Sequence, residues 1–375
     1  MADMESIKKG YYIHFNAKIT PGVQKKIDMQ VEELGRHLII IELNILPEEV
    51  SFLRRLRRLL PGGAVERSYK AALENMENPD FIYVRRTTAD KSYVDFFRTI
   101  KKKWPNCKVL IEIFTYPYDK DEFMRLLTWP YYFKEIYQRK KLVQYVDRYI
   151  TYSEDEVIFG IPTIRTGNGI LVDRVKLPRA EERADDTVSL IAVAFMQKHH
   201  GYERVIKGLH DYYKKGNIRK VVCHLVGDGP EKQGYQKLVQ KYGLEEKVFF
   251  YPTMVGENLD KAYEKGDIAI SAIGVYKDGL ERENSLKTRE YMAKGFPMIT
   301  GCKVDGINEE YPFVCQFSND ASPVDIEKVL AFYDGLCRKY SKKEMQQTIR
   351  SYVKKIADMP VVMKPIIDFI NSQEK

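Results

Sequence analysis

The chain has 375 residues, 44% hydrophobic and 30% charged, an ordinary globular composition at a length that exceeds what one hydrophobic core usually supports, so two domains are expected. No apolar run approaches the roughly 20 residues needed to span a bilayer. The net charge is +8, and it is uneven: residues 1–150 hold 27 Lys+Arg against 20 Asp+Glu, the remainder 34 against 33, so the basic excess of the first half fits an anionic membrane, a pyrophosphate-linked acceptor or nucleic acid.

Residues 1–10 carry acids and lysines with no apolar h-region and do not read as a secretory signal. Residues 10–16 read as a first strand, 17–22 as a loop, and a helix follows with Val23, Ile27, Val31 and Leu34 on one face. Gly22 and Val23 sit where such a strand–loop–helix turn approaches a ligand. After a second strand at 37–43, the stretch S-F-L-R-R-L-R-R-L-L at 51–60 is a basic amphipathic helix. It fits a membrane surface or an ordinary half-buried helix equally. Strands are expected at 81–86 and 108–114. The second runs into Thr115-Tyr116-Pro117-Tyr118-Asp119, and in a parallel sheet ligands bind at the carboxyl ends of strands. Asp119-Lys120-Asp121 is a D-x-D, a pairing that suits a hard cation but one any charged loop produces by chance. The aromatic and basic run at 129–141 reads as a packed helix or an interfacial patch.

Short strands at 148–153 and 162–165 close the first half, and the charge-rich, Pro-containing 177–186 reads as a linker. The period then restarts: strand 188–194, helix 202–213, strand 220–226, Gly227-Asp228-Gly229-Pro230, a helix, strand 248–251, a helix, strand 268–273. Strands alternating with helices of this length mean a parallel sheet. Gly227 and Gly229 form a G-x-G after a strand, which suits any nucleotide fold. Five scattered cysteines (Cys107, Cys223, Cys302, Cys315, Cys337) lack metal-ligand spacing and read as reduced thiols in a cytosolic protein.

The most informative stretch is E-R-E-N-S-L-K-T-R-E-Y-M-A-K-G-F-P at 281–297. A polar loop after a buried strand gives way at Ser285 to a helical pattern. Free N–H groups and the dipole at such a helix head make an anion site. Lys287 and Arg289 in the first turn run against the dipole preference, which a bound diphosphate would explain and a solvated basic turn would equally allow.

Here the chain resembles retaining GT-B glycosyltransferases of glycosyltransferase family 4. The carriers are Glu290-Tyr291-Met292-Ala293-Lys294-Gly295-Phe296-Pro297, the strand end I-E-I-x-T-Y-P-Y-D at 111–119, and His200-Gly201-Tyr202-Glu203-Arg204. The last two are similar to members from bacterial polysaccharide pathways. The resemblance implies two doubly wound, Rossmann-like α/β domains facing a central cleft, at 1–177 and 178–355, with a C-terminal helix at 356–375 crossing back to the first. It implies that Glu290 holds the donor ribose, Ser285 and Leu286 the diphosphate, and Gly227, Gly229 and Thr253 the base-binding wall. Gly22 and Val23 would face the donor sugar, and Glu112, Thr115 and Tyr116 the acceptor. The family's first motif glutamate falls on Arg282, between Glu281 and Glu283; either neighbour takes the role in a shifted loop, with Glu283 as the catalytic candidate, or the role is not needed. The arginine and lysine that usually neutralise the leaving diphosphate fall on Phe195 and His200. Lys287, Lys198 or a protonated His200 would supply that charge, since a departing nucleoside diphosphate needs cationic or N–H stabilisation.

The reading that results is a cytoplasmic, peripheral-membrane hexosyltransferase. It would take a UDP- or GDP-sugar as co-substrate, with no metal or other cofactor, and serve a lipid-linked or polysaccharide acceptor in capsule, exopolysaccharide or O-antigen synthesis. The alternative is a non-catalytic GT-B scaffold supporting a partner enzyme. Nucleic acid is not expected as a partner, because no known module pattern occurs.

Overall fold

The computed structural model describes residues 7–15, 21–46, 67–113, 116–117, 129–180 and 186–374, without the side chains of 21 and 129–131. The amphipathic stretch at 51–60, Thr115, the pair Asp119 and Asp121, and part of the expected linker (181–185) lie outside those residues.

The chain forms two compact units, one of residues 1–167 with 359–375, the other of 168–358. Unit 1 is built on β1 (Lys9–His14), α1 (Pro21–Gly35), β2 (Ile39–Asn44), α2 (Tyr69–Glu74), β3 (Phe81–Arg85), α3 (Lys91–Lys103), β4 (Lys108–Ile113), α4 (Trp129–Arg139), β5 (Arg148–Thr151), β6 (Val157–Ile158) and β7 (Ile161–Arg165). Its sheet runs β2-β1-β3-β4-β5-β7-β6, parallel except for the β6–β7 pair. Period-two alternation gives the sheet two unlike faces. Tyr11, Ile13, Ile82, Val84, Val109, Ile111 and Ile113 pack against α2 and α3. On the other face Tyr12, Tyr83, Arg85 and Glu112 meet Lys26 and Gln30 of α1.

The last helix, α11 (Met359–Asn371), belongs to unit 1. Lys108 at the head of β4 caps its end. The Nζ donates to the carbonyls of Phe369 (2.5 Å), Ser372 (2.7 Å) and Ile370 (3.3 Å), which satisfies acceptors that a helix end leaves open.

Unit 2 contains β8 (Val188–Val193), α5 (Glu203–Lys214), β9 (Val221–Val226), α6 (Lys232–Tyr242), β10 (Val248–Tyr251), α7 (Gly256–Tyr263), β11 (Ile268–Ile270), β12 (Arg282–Glu283), α8 (Leu286–Ala293), β13 (Met298–Thr300), β14 (Lys303–Val304), β15 (Val314–Gln316), α9 (Ile326–Cys337) and α10 (Lys342–Ala357). Its parallel sheet runs β10-β9-β8-β11-β13-β15, with β12–β14 as a separate pair. That is the Rossmann strand order, and its reversal lies between β8 and β11, where the strand ends open a crevice for ligands. The alternate residues Leu190, Ala192, Cys223, Leu225, Ile268 and Ile270 form the core with α5, α6 and α9. The strand expected over 268–273 ends at Ile270. The Ser271 N–H still donates to Ile299 O of β13 (2.9 Å), and its Oγ donates to Glu283 in the segment that follows.

Candidate functional site

At the reversal point in unit 2, two loops meet backbone to backbone. Gly201 takes φ +66°, and a Cβ there would fall 2.6 Å from Gly274 Cα. Only glycine fits both positions. The Ile273 N–H donates to His200 O (3.2 Å) and the Gly274 N–H to His199 O (3.1 Å). Arg204, fully buried on α5, fixes the same junction: its Nη1 donates to Ile273 O (2.5 Å) and its Nε to Ser322 O (2.6 Å).

The head of α8 faces this junction's chemistry from the loop after β11. Ser285 is extended (φ −90°, ψ 146°) and its Oγ accepts the Thr288 N–H, an N-cap. Glu283 is only 8% exposed. Its carboxylate accepts from Ser271 Oγ (2.9 Å), from the Ser285 N–H (2.9 Å) and from Thr288 Oγ1, three donors that offset the cost of burying its charge. Arg282, its neighbour on β12, is exposed, with Nη1 3.7 Å from Asp305. Glu281 is exposed as well. Of the two glutamates beside the missing motif position, Glu283 is therefore the one brought to the helix head. Among the described residues, no acceptor takes the N–H groups of Leu286 and Lys287.

The other end of α8 explains the E-Y-M-A-K-G-F-P run. Gly295 (φ +76°) closes a Schellman motif, with the Phe296 N–H donating to Tyr291 O (3.0 Å) and the Gly295 N–H to Met292 O (2.9 Å). Tyr291 exchanges hydrogen bonds with the backbone of Val193 at the end of β8. The run is the mounting that holds the helix head at the crevice.

Lys287 carries the decisive geometry. The side chain is partly accessible, but its Nζ is covered and has no acceptor among the described residues; it lies 5.9 Å from the Tyr202 ring centroid. Burial pushes its pKa down to about 8 against the opposing pull of Glu283. Glu290 follows one turn along α8 from Leu286 and Lys287, on the same face by helical spacing, and is half-buried.

His200 differs from one expectation. Its Nδ1 accepts the Gln197 N–H (2.9 Å), its ring stacks on Tyr202 (5.5 Å, 12°), and burial, then Lys287 and His199, push its pKa down to about 2. The ring is neutral with the proton on Nε2, so it offers a donor and not the cation expected as one alternative. Lys198 is exposed on the same turn, and Phe195 is 63% exposed.

Gly227 (φ +130°) and Gly229 (φ +142°) lie under the loop after β8. A Cβ on them would fall 2.0 Å from Ala194 O and 2.4 Å from Met196 O. Both glycines thus set that loop's height. Thr253 is exposed beyond β10.

In unit 1, Gly22 is not in the expected loop. α1 begins at Pro21, so Gly22 and Val23 lie in its first turn, and nothing stands within 4 Å of a Cβ at Gly22. Glu112 does not line an open surface. It is fully buried, accepting from Lys26 Nζ (2.8 Å), Tyr152 Oη (2.7 Å) and Arg85 Nη1 (3.2 Å). Burial alone would raise its pKa; Lys26 and Arg85 outweigh that and hold it at about 2. Tyr116 is half-buried, its ring edge-on to Phe159 at 5.7 Å. Sequence reasoning missed Ser271, Gly274 and the Lys26–Gln30 pair, and quoted Arg204 in a motif without giving it a role. Of the missed ones, the last had a signal, a polar i, i+4 stripe beside the apolar one.

No group of three or more His, Cys, Asp or Glu among the described residues is placed to hold a metal ion. No described helix is long and apolar enough to cross a membrane.

Residues 173–311 match the family model "Glycosyl transferases group 1". Solved structures align over almost the whole chain. Sucrose-phosphate synthase from Thermosynechococcus elongatus aligns at 15% identity and TM-score 0.64, over 96% of this chain and 98% of its own. A glycosyltransferase from Rickettsia africae aligns at 14% and 0.61, over 97% and 100%. Anabaena HepE in complex with UDP-glucose aligns at 11% and 0.61, over 96% and 99%. The chain has the GT-B fold. No curated protein sequence matches it. In GT-B terms the crevice just described belongs to the C-terminal Rossmann-like unit, and the matched region 173–311 contains the Gly201–Gly274 junction, Glu283, Lys287 and Glu290.

Proposed function

We propose that this GT-B protein is a retaining hexosyltransferase using a nucleotide-sugar donor. One observation carries the reading: a buried lysine Nζ, with no acceptor among the described residues, stands at a helix head where no described acceptor takes the Leu286 and Lys287 N–H groups either. A buried, uncompensated cation is costly, and a diphosphate supplies both the charge and the acceptor atoms. Glu290 would bind the ribose hydroxyls and Glu283 would orient the helix head. His200 Nε2–H and Lys287 would stabilise the leaving diphosphate. The bond from the sugar's anomeric carbon to the donor phosphate breaks as the acceptor oxygen attacks the same face. The acceptor's proton passes to the leaving phosphate oxygen, so no metal and no carboxylate nucleophile is required.

HepE, a structural relative, is known in complexes with UDP, with UDP and glucose, and with UDP-glucose, which favours UDP over GDP as the donor base. The basic excess in residues 1–150 supports a lipid-linked or polysaccharide acceptor at an anionic membrane face. We assign the protein to surface-polysaccharide synthesis on the cytoplasmic side.

Calorimetry with UDP, GDP and dTDP, with and without EDTA, on wild type and Glu290→Ala tests this. The expected result is binding of one nucleotide, insensitive to EDTA and weakened in the variant. Metal-dependent binding would bring Asp119 and Asp121 back as ligands, and no binding of any nucleotide would leave the scaffold reading.

A further inference from the structure

The chain passes between its two units at 167/168 and again at 358/359. The first residue inside unit 2, Asn168, is tied to the loop that carries the anion site. Its backbone N–H donates to Asn284 Oδ1 (3.3 Å), and its Nδ2 donates to Asn284 O. Asn284 stands between Glu283, whose carboxylate accepts the Ser285 N–H, and Ser285, the N-cap of α8. Both carbonyl oxygens of Asn284, side-chain and main-chain, accept from Asn168, and its Oδ1 also takes Arg289 Nη2 (3.3 Å). Arg289 is 3% exposed; its Nη2 also donates to Asp305 O, while Nε and Nη1 have no acceptor among the described residues. Two and four residues past Asn168 the segment reaches the second passage: the Ile170 N–H donates to Ala357 O (3.0 Å) and the Val172 N–H to Asp358 Oδ1 (3.0 Å). Segment 168–172 is thus strung between the anion-site loop and the residues where the chain leaves unit 2.

We propose that Asn168 and Asn284 are positioning residues that link the anion site to segment 166–172, so that a nucleoside diphosphate bound at the head of α8 orders that segment. This rests on the donor reading above. The physical warrant is continuity. Leu286 and Lys287, whose N–H groups would take the phosphates, are two and three residues from Asn284. The intervening Ser285 is clamped at its N–H and its Oγ. A shift of the helix head on binding therefore moves Asn284 with it, and Asn284 hands that shift to Asn168 and Arg289 through its hydrogen bonds. By reciprocity, whatever orders 166–172 raises affinity for the diphosphate.

Hydrogen exchange of the full chain, read by mass spectrometry with and without saturating UDP, decides the matter on wild type, Asn168→Ala and Asn284→Ala. In wild type, UDP slows exchange across 166–172 by at least about five-fold, the lower end of ordinary coupling. In Asn168→Ala, calorimetry still detects UDP, but the slowing is reduced, because only the backbone bond from residue 168 to Asn284 Oδ1 is left. In Asn284→Ala, exchange at residue 168 rises even without UDP, because its acceptor is gone. Bound UDP that leaves 166–172 unchanged in wild type, or slows it equally in both variants, overturns the linkage alone. Calorimetry that finds no UDP, GDP or dTDP bound to wild type overturns the proposed function and the linkage with it. Unchanged exchange at residue 168 in ligand-free Asn284→Ala removes the latch itself.

Discussion

Two buried lysines in this molecule face opposite fates. Lys26 in unit 1 meets Glu112 at 2.8 Å inside a network with Tyr152, Arg85 and Gln30. Lys287 in unit 2 has its Nζ covered and no acceptor among the described residues. Burial lowers the pKa of both, and a neighbouring glutamate opposes it in both. What separates them is completion. A cation whose partners are all internal belongs to the architecture. One whose partners are missing marks where a ligand supplies them.

The largest test of this contrast is on the complete network. Glu112→Ala should lower unfolding stability by about 3–5 kcal/mol, because it strands buried cations; denaturant melts measure it. Its acid signature follows from the depressed pKa. Glu112 contributes stability that is fully present above its ordinary pKa near 4.5 and lost as pH falls toward about 2. Melts between pH 6 and 2.5 should show a loss of about 3 kcal/mol from this group, absent in Glu112→Gln.

The incomplete site should answer the other way. Lys287→Met should leave melting unchanged or raise it, since it removes an unpaired charge. It should weaken nucleotide binding by about 1.5–3 kcal/mol, the worth of a hydrogen bond to a charged group. A Lys287→Met variant that melts far below wild type would assign the lysine to the framework instead.

Gly201→Ala sits next in size. A left-handed backbone costs a non-glycine residue about 1 kcal/mol, and the added Cβ also meets Gly274. Folding should survive with a lowered melting temperature, and nucleotide affinity should fall because His200 shifts.

The smallest effect is in pH. With Lys287 near 8, nucleotide affinity should hold from pH 6 to 7.5 and then fall by about ten-fold per unit above that, as the cation is lost. Stability of the ligand-free protein should rise over the same window up to the ordinary lysine range, because the folded state binds fewer protons there than the unfolded one. Nucleotide affinity should show no step from His200 between pH 5 and 7, since its ring stays neutral in the folded protein. Stability, by contrast, should fall as pH drops below the ordinary histidine value of 6.5, because only the unfolded ring then takes up a proton.

Much of the scaffold was legible. Buried parallel strands write themselves as short β-branched runs, and those at 81–86, 108–114, 188–194, 220–226 and 248–251 match observed strands to within a residue. The helix within 281–297 was legible because its cap, apolar side and terminal glycine follow separate local rules that agree. What stayed hidden depends on partners distant in sequence. Two-residue strands such as β12 and β14 have no period to detect. Arg204 stood in a recognisable run, but its role as the buried tie to Ile273 and Ser322 depends on partners 69 and 118 residues away. Glu112 reads as a cleft acid until Lys26, 86 residues away, is seen to take it. Gly22 misled because a helix with proline in its first turn can begin inside what looks like a loop.

The capped α11 has a consequence for how the chain is made. Unit 2 is continuous, from 168 to 358, whereas unit 1 needs 359–375 to be whole. On a ribosome adding roughly 5–20 residues per second, the sheet of unit 1 emerges first and then waits on the order of ten to forty seconds for the helix that Lys108 will cap. Throughout that interval the surface that α11 covers is bare, so the nascent first half is where a chaperone would be needed, while the second half can close as soon as it has left the tunnel.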